Sequence, residues 1–307
     1  MRIKSHFFCY NVHMLLVIVG PTCSGKTSAA LRLADFYSSP IINADAFQIY
    51  QEMDIGTAKI AKDSPDYKKH LLIDIIKPDQ KYSVKKYQED FRKTYFELKK
   101  NHKDIVVCGG TGFYIRAALL DYVFEDEDEE LDDSDLLKLS DQELYDMLKE
   151  LDPKALETIH INNRKRVIRA IQIARTHKTN KSETIDSQKH EMFFKDEDIR
   201  IVFINPNREE LYEQINARVD QMFDKGLVDE VKGLLQKYDL SMTAKEAIGY
   251  KEVIGYLNNE YSLDECKELI KRRTRNYAKR QVTFFKHQLP CKEYKSADEL
   301  VEELTHE

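Results

Sequence analysis

The sequence predicts an α/β protein: a P-loop-containing parallel sheet with helices on both faces, plus an inserted helical subdomain. Three observations lead there. Apolar runs alternate with helix-forming runs through the first part of the chain, a pattern that yields parallel strands joined by covering helices. The stretch "VIVGPTCSGKTSAALRLA" (17–34) passes from an apolar strand through a glycine-bounded loop into a helix. Between Tyr122 and Asp196 the pattern turns acidic, polar and helical, after which an apolar, β-branched strand, "RIVFINP", resumes. The chain is thereby divided into 1–122, the first part of the core; 123–196, the inserted subdomain; and 197–307, a completing strand and C-terminal helices.

The first strand, "MLLVIV", feeds a loop that fits G-x-x-x-x-G-K-[ST] at Gly20, Gly25, Lys26 and Thr27. The two glycines let the N–H groups that follow Pro21, those of Thr22, Cys23 and Ser24 and of the helix start, turn towards an anion, Lys26 adds a point charge, and Thr27 can ligate Mg²⁺. "PIINAD" reads as a second strand ending at Asp45, and "HLLIDI" (70–75) as a third. Ser83 can cap a helix whose Tyr87, Phe91, Tyr95 and Leu98 recur at helical spacing as a core stripe. "DIVVCGGTGFYIRAALL" (104–120) repeats the strand, glycine turn and helix. Capping boxes are expected at Ser140 with Glu143, Thr243 with Glu246 and Ser262 with Glu265, and a helix stop at Gly226. Ligands of such sheets bind at the carboxyl ends of the strands. Gly20–Thr27, Asp45 and Gly109–Gly112 are therefore expected at one edge.

Composition narrows the function. The 307 residues are 42% apolar, yet no apolar run is long enough to cross a membrane. Five cysteines form no C-x-x-C pair, which suggests neither a disulfide framework nor a zinc site and fits a reducing cytoplasm. The net charge of −6 hides a division: "FEDEDEELDDSD" (124–135) holds nine acids, so the remainder is net basic. Two runs, 162–178 and 271–281, each carry six Lys or Arg and no acid. Arg272, Arg275, Lys279 and Lys286 share one helical face, interleaved with Tyr277, Phe284 and Phe285. Cations beside stacking surfaces suit single-stranded RNA, while a solvated helix face with aromatics in the core explains the same pattern equally well.

Five segments, "GPTCSGKT", "INADAFQIYQEMDIGTAK", residues 106–120, "IGYKE" and "KRQVTFFK", together resemble the bacterial tRNA dimethylallyltransferases, also called tRNA isopentenyltransferases. The resemblance spans most of the chain. It departs at Cys23, where the family often has Ala, at Ala46, where it usually has Ser, and at "KEA" before Ile248. It implies transfer of a dimethylallyl group from its diphosphate to N6 of the adenosine immediately 3′ of the anticodon, with release of diphosphate. The loop from Gly20 to Thr27 would hold the diphosphate with Mg²⁺ on Thr27, and Asp45 would accept the N6 proton. Thr111, Ala46, Phe47 and Gln48 would surround the target nucleotide. Arg166 and Arg169 would contact the anticodon stem, and Gly249, Tyr250, Lys251, Lys279, Arg280 and Gln281 would complete the tRNA surface of a monomer.

The main alternative is a P-loop small-molecule kinase, since ATP-dependent enzymes use the same nucleotide-binding loop. A hydrolysing NTPase normally places an acid after an apolar strand, whereas "DIVVCGGTG" offers glycine and threonine there. "NKSE" (180–183) nearly imitates a guanine-reading motif but has Glu and no preceding apolar strand. Residues 1–13 read as a dispensable extension ahead of the first strand, with Met14 as the functional start. Deleting them is expected to leave activity and melting temperature close to those of the full chain; a large fall in melting temperature would make them part of the fold.

Overall fold

A computed structural model describes residues 14–124, 135–177 and 191–306. Its elements begin with β1 (Met14–Val19), α1 (Lys26–Phe36), β2 (Ile41–Asn43), β3 (His70–Leu71), α2 (Val84–Leu98), β4 (Asp104–Gly109) and α3 (Gly112–Leu119). Then come α4 (Asp141–Leu151), α5 (Arg164–His177), β5 (Asp198–Ile204), α6 (Arg208–Asp224) and α7 (Leu227–Lys237). The chain ends with α8 (Met242–Lys245), α9 (Tyr250–Leu257), α10 (Leu263–Gln288), β6 (Lys292–Tyr294) and α11 (Ala297–His306). Two compact units result: one runs up to Leu119 and resumes at Phe194, the other is Leu120–Phe193.

All six strands of the first unit lie parallel, in the order β3-β2-β4-β1-β5-β6. β1 is central because it is apolar on both faces. Leu16 and Ile18 pack with Ala30 and Leu33 of α1 and Leu300 and Leu304 of α11, while Leu15, Val17 and Val19 on the opposite face are equally buried. The register sets Val19 level with Gly109, and Asn43 level with Cys108. Three strands thus end at one height, and their loops open on one edge.

The second unit packs α4 and α5 around Leu144, Leu148, Val167 and Ile171, with the capping box of Ser140 and Glu143 in place. Its basic helix is only partly free for a ligand. Arg164 donates to Asp141 and to the carbonyls of Leu137 and Leu139, and Arg175 pairs with Asp135, so both serve the unit itself. The acidic run, apart from Phe124 and Asp135, and "NKSE" lie outside the described residues, as does the 1–13 extension.

Several expectations are corrected. β2 stops at Asn43 because its side chain folds over the next turn, donating to the carbonyls of Asp45 and Leu72 and accepting from the Asp45 N–H. β3 has two residues instead of six, since Leu72 and Asp74 take left-handed backbone angles that no strand can contain. Thr243 caps nothing. Ser241 accepts from the Ala244 N–H and starts α8 two residues earlier. Phe285 is buried against Phe203 of β5, and Arg275 donates to Asn216, so the expected row on α10 is not one free surface. The caps at Ser83 and at Ser262 with Glu265, and the left-handed Gly226 ending α6, are as expected.

Glu230 of α7 ties the segment after Met53 to the helices. Its carboxylate accepts the N–H groups of Asp54, Ile55 and Gly56 at 3.1, 2.7 and 3.2 Å and the Tyr250 hydroxyl at 2.6 Å. Glu230→Ala is expected to cost about 1–3 kcal/mol, the penalty of leaving buried donors unsatisfied, read as a lower urea midpoint. Glu230→Gln should fall between it and the parent.

Candidate active site

The loop after β1 is built for an anion. Gly25 takes the left-handed conformation that turns the loop into α1, and Cys23 does so too despite its side chain. Lys26 Nζ donates to the Pro21 carbonyl at 3.1 Å and so lies folded over the loop. Burial lowers the Lys26 pKa and nearby Arg218 lowers it further, while Cys108 and Asp45 oppose the shift. A bound anion would relieve that cost. The Ser24 hydroxyl is buried without a hydrogen-bond partner.

Two side chains from distant helices brace this loop. Gln281 of α10 accepts the Thr22 N–H at 2.9 Å and donates to the Gly110 carbonyl at 2.8 Å, linking the loops after β1 and β4. Arg218 of α6 donates to the Thr22 hydroxyl at 3.1 Å and to the Thr57 carbonyl at 3.4 Å, and its guanidinium lies 3.7 Å from the Cys23 sulfur.

Asp45 and Thr111 meet across the sheet edge. The Ala46 N–H donates to the Thr111 hydroxyl at 3.0 Å, the Thr111 N–H to the Ala44 carbonyl at 3.2 Å, and the Phe47 N–H to Asp45 Oδ1 at 3.0 Å. Asp45 is thereby fixed with its second carboxylate oxygen left for other partners. Tyr277 faces the same point: burial, then the charge of Asp45, raises its phenol pKa, against a hydrogen bond with Thr111. It remains a neutral donor. Cys108, beside Thr27 at the end of β4, is pushed up to about 11 by burial, chiefly against the charge of Lys26. It stays a thiol where a nucleotide hydrolase would present a carboxylate.

One cleft gathers Thr22, Lys26, Asp45, Phe47, Tyr277 and Gln281, and Ile215, Val219, Met222, Ile248 and Ile270 form its apolar wall. Its cavity is about 90 Å³. Of the residues expected to bind RNA, Ala46 and Gln48 lie beside the cleft, with Gln48 donating to the Thr57 carbonyl. Lys279 and Arg280 line an adjoining groove. Arg166 and Arg169 are exposed on α5 of the second unit.

Three residues expected on the tRNA surface, Gly249, Tyr250 and Gln281, are instead buried, while Lys251 stays exposed. Tyr250 is fully buried, held by Glu230, so its ring and hydroxyl are unavailable to a ligand. Gly249 is also buried and donates its N–H to Glu252, while Lys251 pairs with Glu246. "IGYKE" contributes to the cleft through Ile248 instead. Gln281, expected on the tRNA surface, is buried as the brace between the two loops. Arg218 was not singled out from the sequence. The available signal is a cation three residues after Ile215 and beside Val219, on the buried stripe of an amphipathic helix.

A glycine-bounded loop, a carboxylate and an apolar wall meet at one edge of a parallel α/β sheet, an arrangement of the P-loop α/β class. The family model described as IPP transferase matches residues 48–288. A tRNA dimethylallyltransferase of Halothermothrix orenii is 43% identical over 279 residues, covering 89% of this chain and 84% of that relative. One from Bacillus licheniformis is 41% identical, with 90% and 88% covered. The crystal structure of a tRNA isopentenylpyrophosphate transferase from Staphylococcus epidermidis superposes with a TM-score of 0.68 at 34% identity, covering 96% of this chain and 98% of that one. The chain belongs to the tRNA dimethylallyltransferase family.

Arg218 is the strongest addition the structure makes to the site. Arg218→Ala is expected to weaken inorganic diphosphate binding by roughly 10- to 150-fold, the range for a lost hydrogen bond to a charged group. Calorimetric titration checks this, and Arg218→Lys should recover only part of the affinity because it lacks the fork.

Proposed function

We propose that the chain transfers the dimethylallyl group from dimethylallyl diphosphate to N6 of the adenosine immediately 3′ of the anticodon in tRNA and releases diphosphate. The carrying observation is one cleft that joins a cationic loop, a fixed carboxylate and an apolar wall. An allylic carbon tolerates positive charge, so the demanding steps are holding the leaving diphosphate and removing a proton from a weak nucleophile. Loop N–H groups, Lys26 and Arg218 serve the first by meeting charge as it develops. Asp45 serves the second, taking the N6 proton through the oxygen not held by Phe47. Ile215, Val219, Met222 and Ile270 flank the five-carbon group and keep water from the cation.

The residues present fit Mg²⁺ bound together with substrate. The Thr27 hydroxyl is a hard oxygen donor at the start of α1, and the described residues hold no cluster of three His, Cys, Asp or Glu that could bind the ion alone. Thr27 would share the ion with diphosphate oxygens, where it neutralises charge on the leaving group. Lys279 and Arg280 on α10, and Arg166 and Arg169 on α5, would meet tRNA phosphates. A monomer in a reducing cytoplasm suits the four free cysteines among the described residues. The neutral Cys108 thiol next to Thr27 argues against a kinase using this loop for ATP.

Asp45→Ala should lower the single-turnover rate about 10²- to 10⁴-fold, the usual contribution of a general base, with donor and tRNA affinity nearly intact. Labelled dimethylallyl diphosphate and unmodified tRNA, with Mg²⁺ and no nucleotide, should give prenylated adenosine and diphosphate. A rate within threefold of the parent removes Asp45 as the base, and an absolute need for ATP hydrolysis overturns the assignment of the loop.

A further inference from the structure

Phe113 is exposed to 60%, in the first turn of α3 and two residues after Thr111. A large apolar ring in water beside a functional loop calls for an explanation. Its neighbour is Phe284 of α10, with ring centroids 5.4 Å apart and planes inclined by 55°. Phe284 lies so close over Gly112 that a Cβ there would come within 2.2 Å of its ring, which fixes the ring in place.

The two rings form part of a groove of about 780 Å³ whose other walls include Arg116, Lys279, Arg280 and His287. Among the described residues, no acidic side chain lines it. Arg116 donates to Gln288, and Arg280 lies over the Tyr277 ring at 5.6 Å, so both cations are held along the groove. Tyr277 also lines the donor cleft, so the groove begins one helical turn from the site of reaction.

We infer that Phe113 and Phe284 are a stacking platform for the unpaired nucleotide next to the reacting adenosine, with Arg116, Lys279 and Arg280 on its phosphates. This rests on the tRNA reading above and assigns a base-binding role to two residues outside the reaction cleft. Apolar rings supply a π face that accepts any base, and the clustered cations Arg116, Lys279 and Arg280 favour the RNA backbone over an apolar protein segment. An adenosine turned into the donor cleft leaves its neighbour unstacked, and a ring at this place replaces the lost stacking partner.

The test uses the full chain and a fluorescent, unmodified anticodon stem-loop. Phe113→Ala should weaken binding by roughly 5- to 150-fold, the range for one base–aromatic stack, with inorganic diphosphate affinity unchanged. Phe113→Tyr should restore it. Stem-loops lacking one base on either side of the target provide the decisive arm. Loss of the stacked base should weaken the parent to the level of Phe113→Ala and add nothing further in that variant. Phe284→Ala, read alongside its melting temperature, should repeat the pattern. Unchanged affinity in Phe113→Ala, with the parent still transferring label, overturns the platform and leaves the function intact. Equal, uncoupled losses for every abasic stem-loop also overturn it, leaving only electrostatic contact. A parent that transfers no label to any stem-loop overturns the function and the platform together.

Discussion

The site depends on how tightly β4 meets the end of β2. A Cβ at Gly109 would lie 2.1 Å from the Ala44 carbonyl oxygen, so only glycine lets the two strand ends touch. That contact puts Thr111 within reach of both Ala44 and Ala46, and the two hydrogen bonds fix Asp45 between them. The register then sets the pair level with the end of β1, where the phosphate loop begins. A larger residue at 109 would part the loops and separate the carboxylate from the cations. The chemistry therefore rests on a backbone contact that carries no reactive group.

The electrostatics of the cleft show why it needs bracing. Lys26 and Arg218 converge on one loop, where burial first and then the charge of Arg218 disfavour the protonated Lys26. A left-handed Cys23 adds backbone cost at the same place. Gln281 and Arg218 hold this arrangement by bonding to Thr22 from two neighbouring helices, α10 and α6. Stability elsewhere offsets a site poised for a charge it does not supply itself. The apolar wall sharpens the effect, because low dielectric strengthens attraction for diphosphate as well as repulsion without it.

Much of this was legible in the sequence where local signals and the fold agree. β1, β4 and β5 read as strands because they are apolar, β-branched and bounded by turn residues. The loop, Asp45 and Thr111 were found through motifs at strand ends. β3 was misread because Asp74 serves a distant network with Lys59 and Tyr67, which bends the backbone out of strand geometry. "IGYKE" matched the family, but a match does not say which way a side chain points, and Tyr250 points into the core. The basic runs carried the same limit. Arg164 and Arg166 are chemically alike in sequence, yet one closes the carbonyls of its own unit while the other is exposed.

α10 shows how one rigid element can set the scale of the first unit. Its 26 residues span roughly 39 Å at 1.5 Å per residue. Cys266 and Ile270 pack in the helical core, and Ile270, Thr274 and Tyr277 reach the cleft that holds Lys26 and Asp45. Gln281 braces the two loops, and Lys279, Arg280 and Phe284 open into the groove. Because these residues lie on one continuous helix, the distance from cleft to groove is set by the rise per residue. Rotation is fixed as well: Gln281 bonds to both loops on one side while Phe285 is buried against Phe203 of β5. Turning the helix by one residue, about 100°, would break both anchors at once. The residues facing the cleft and those facing the groove therefore hold one mutual geometry, set by the fold before any ligand arrives.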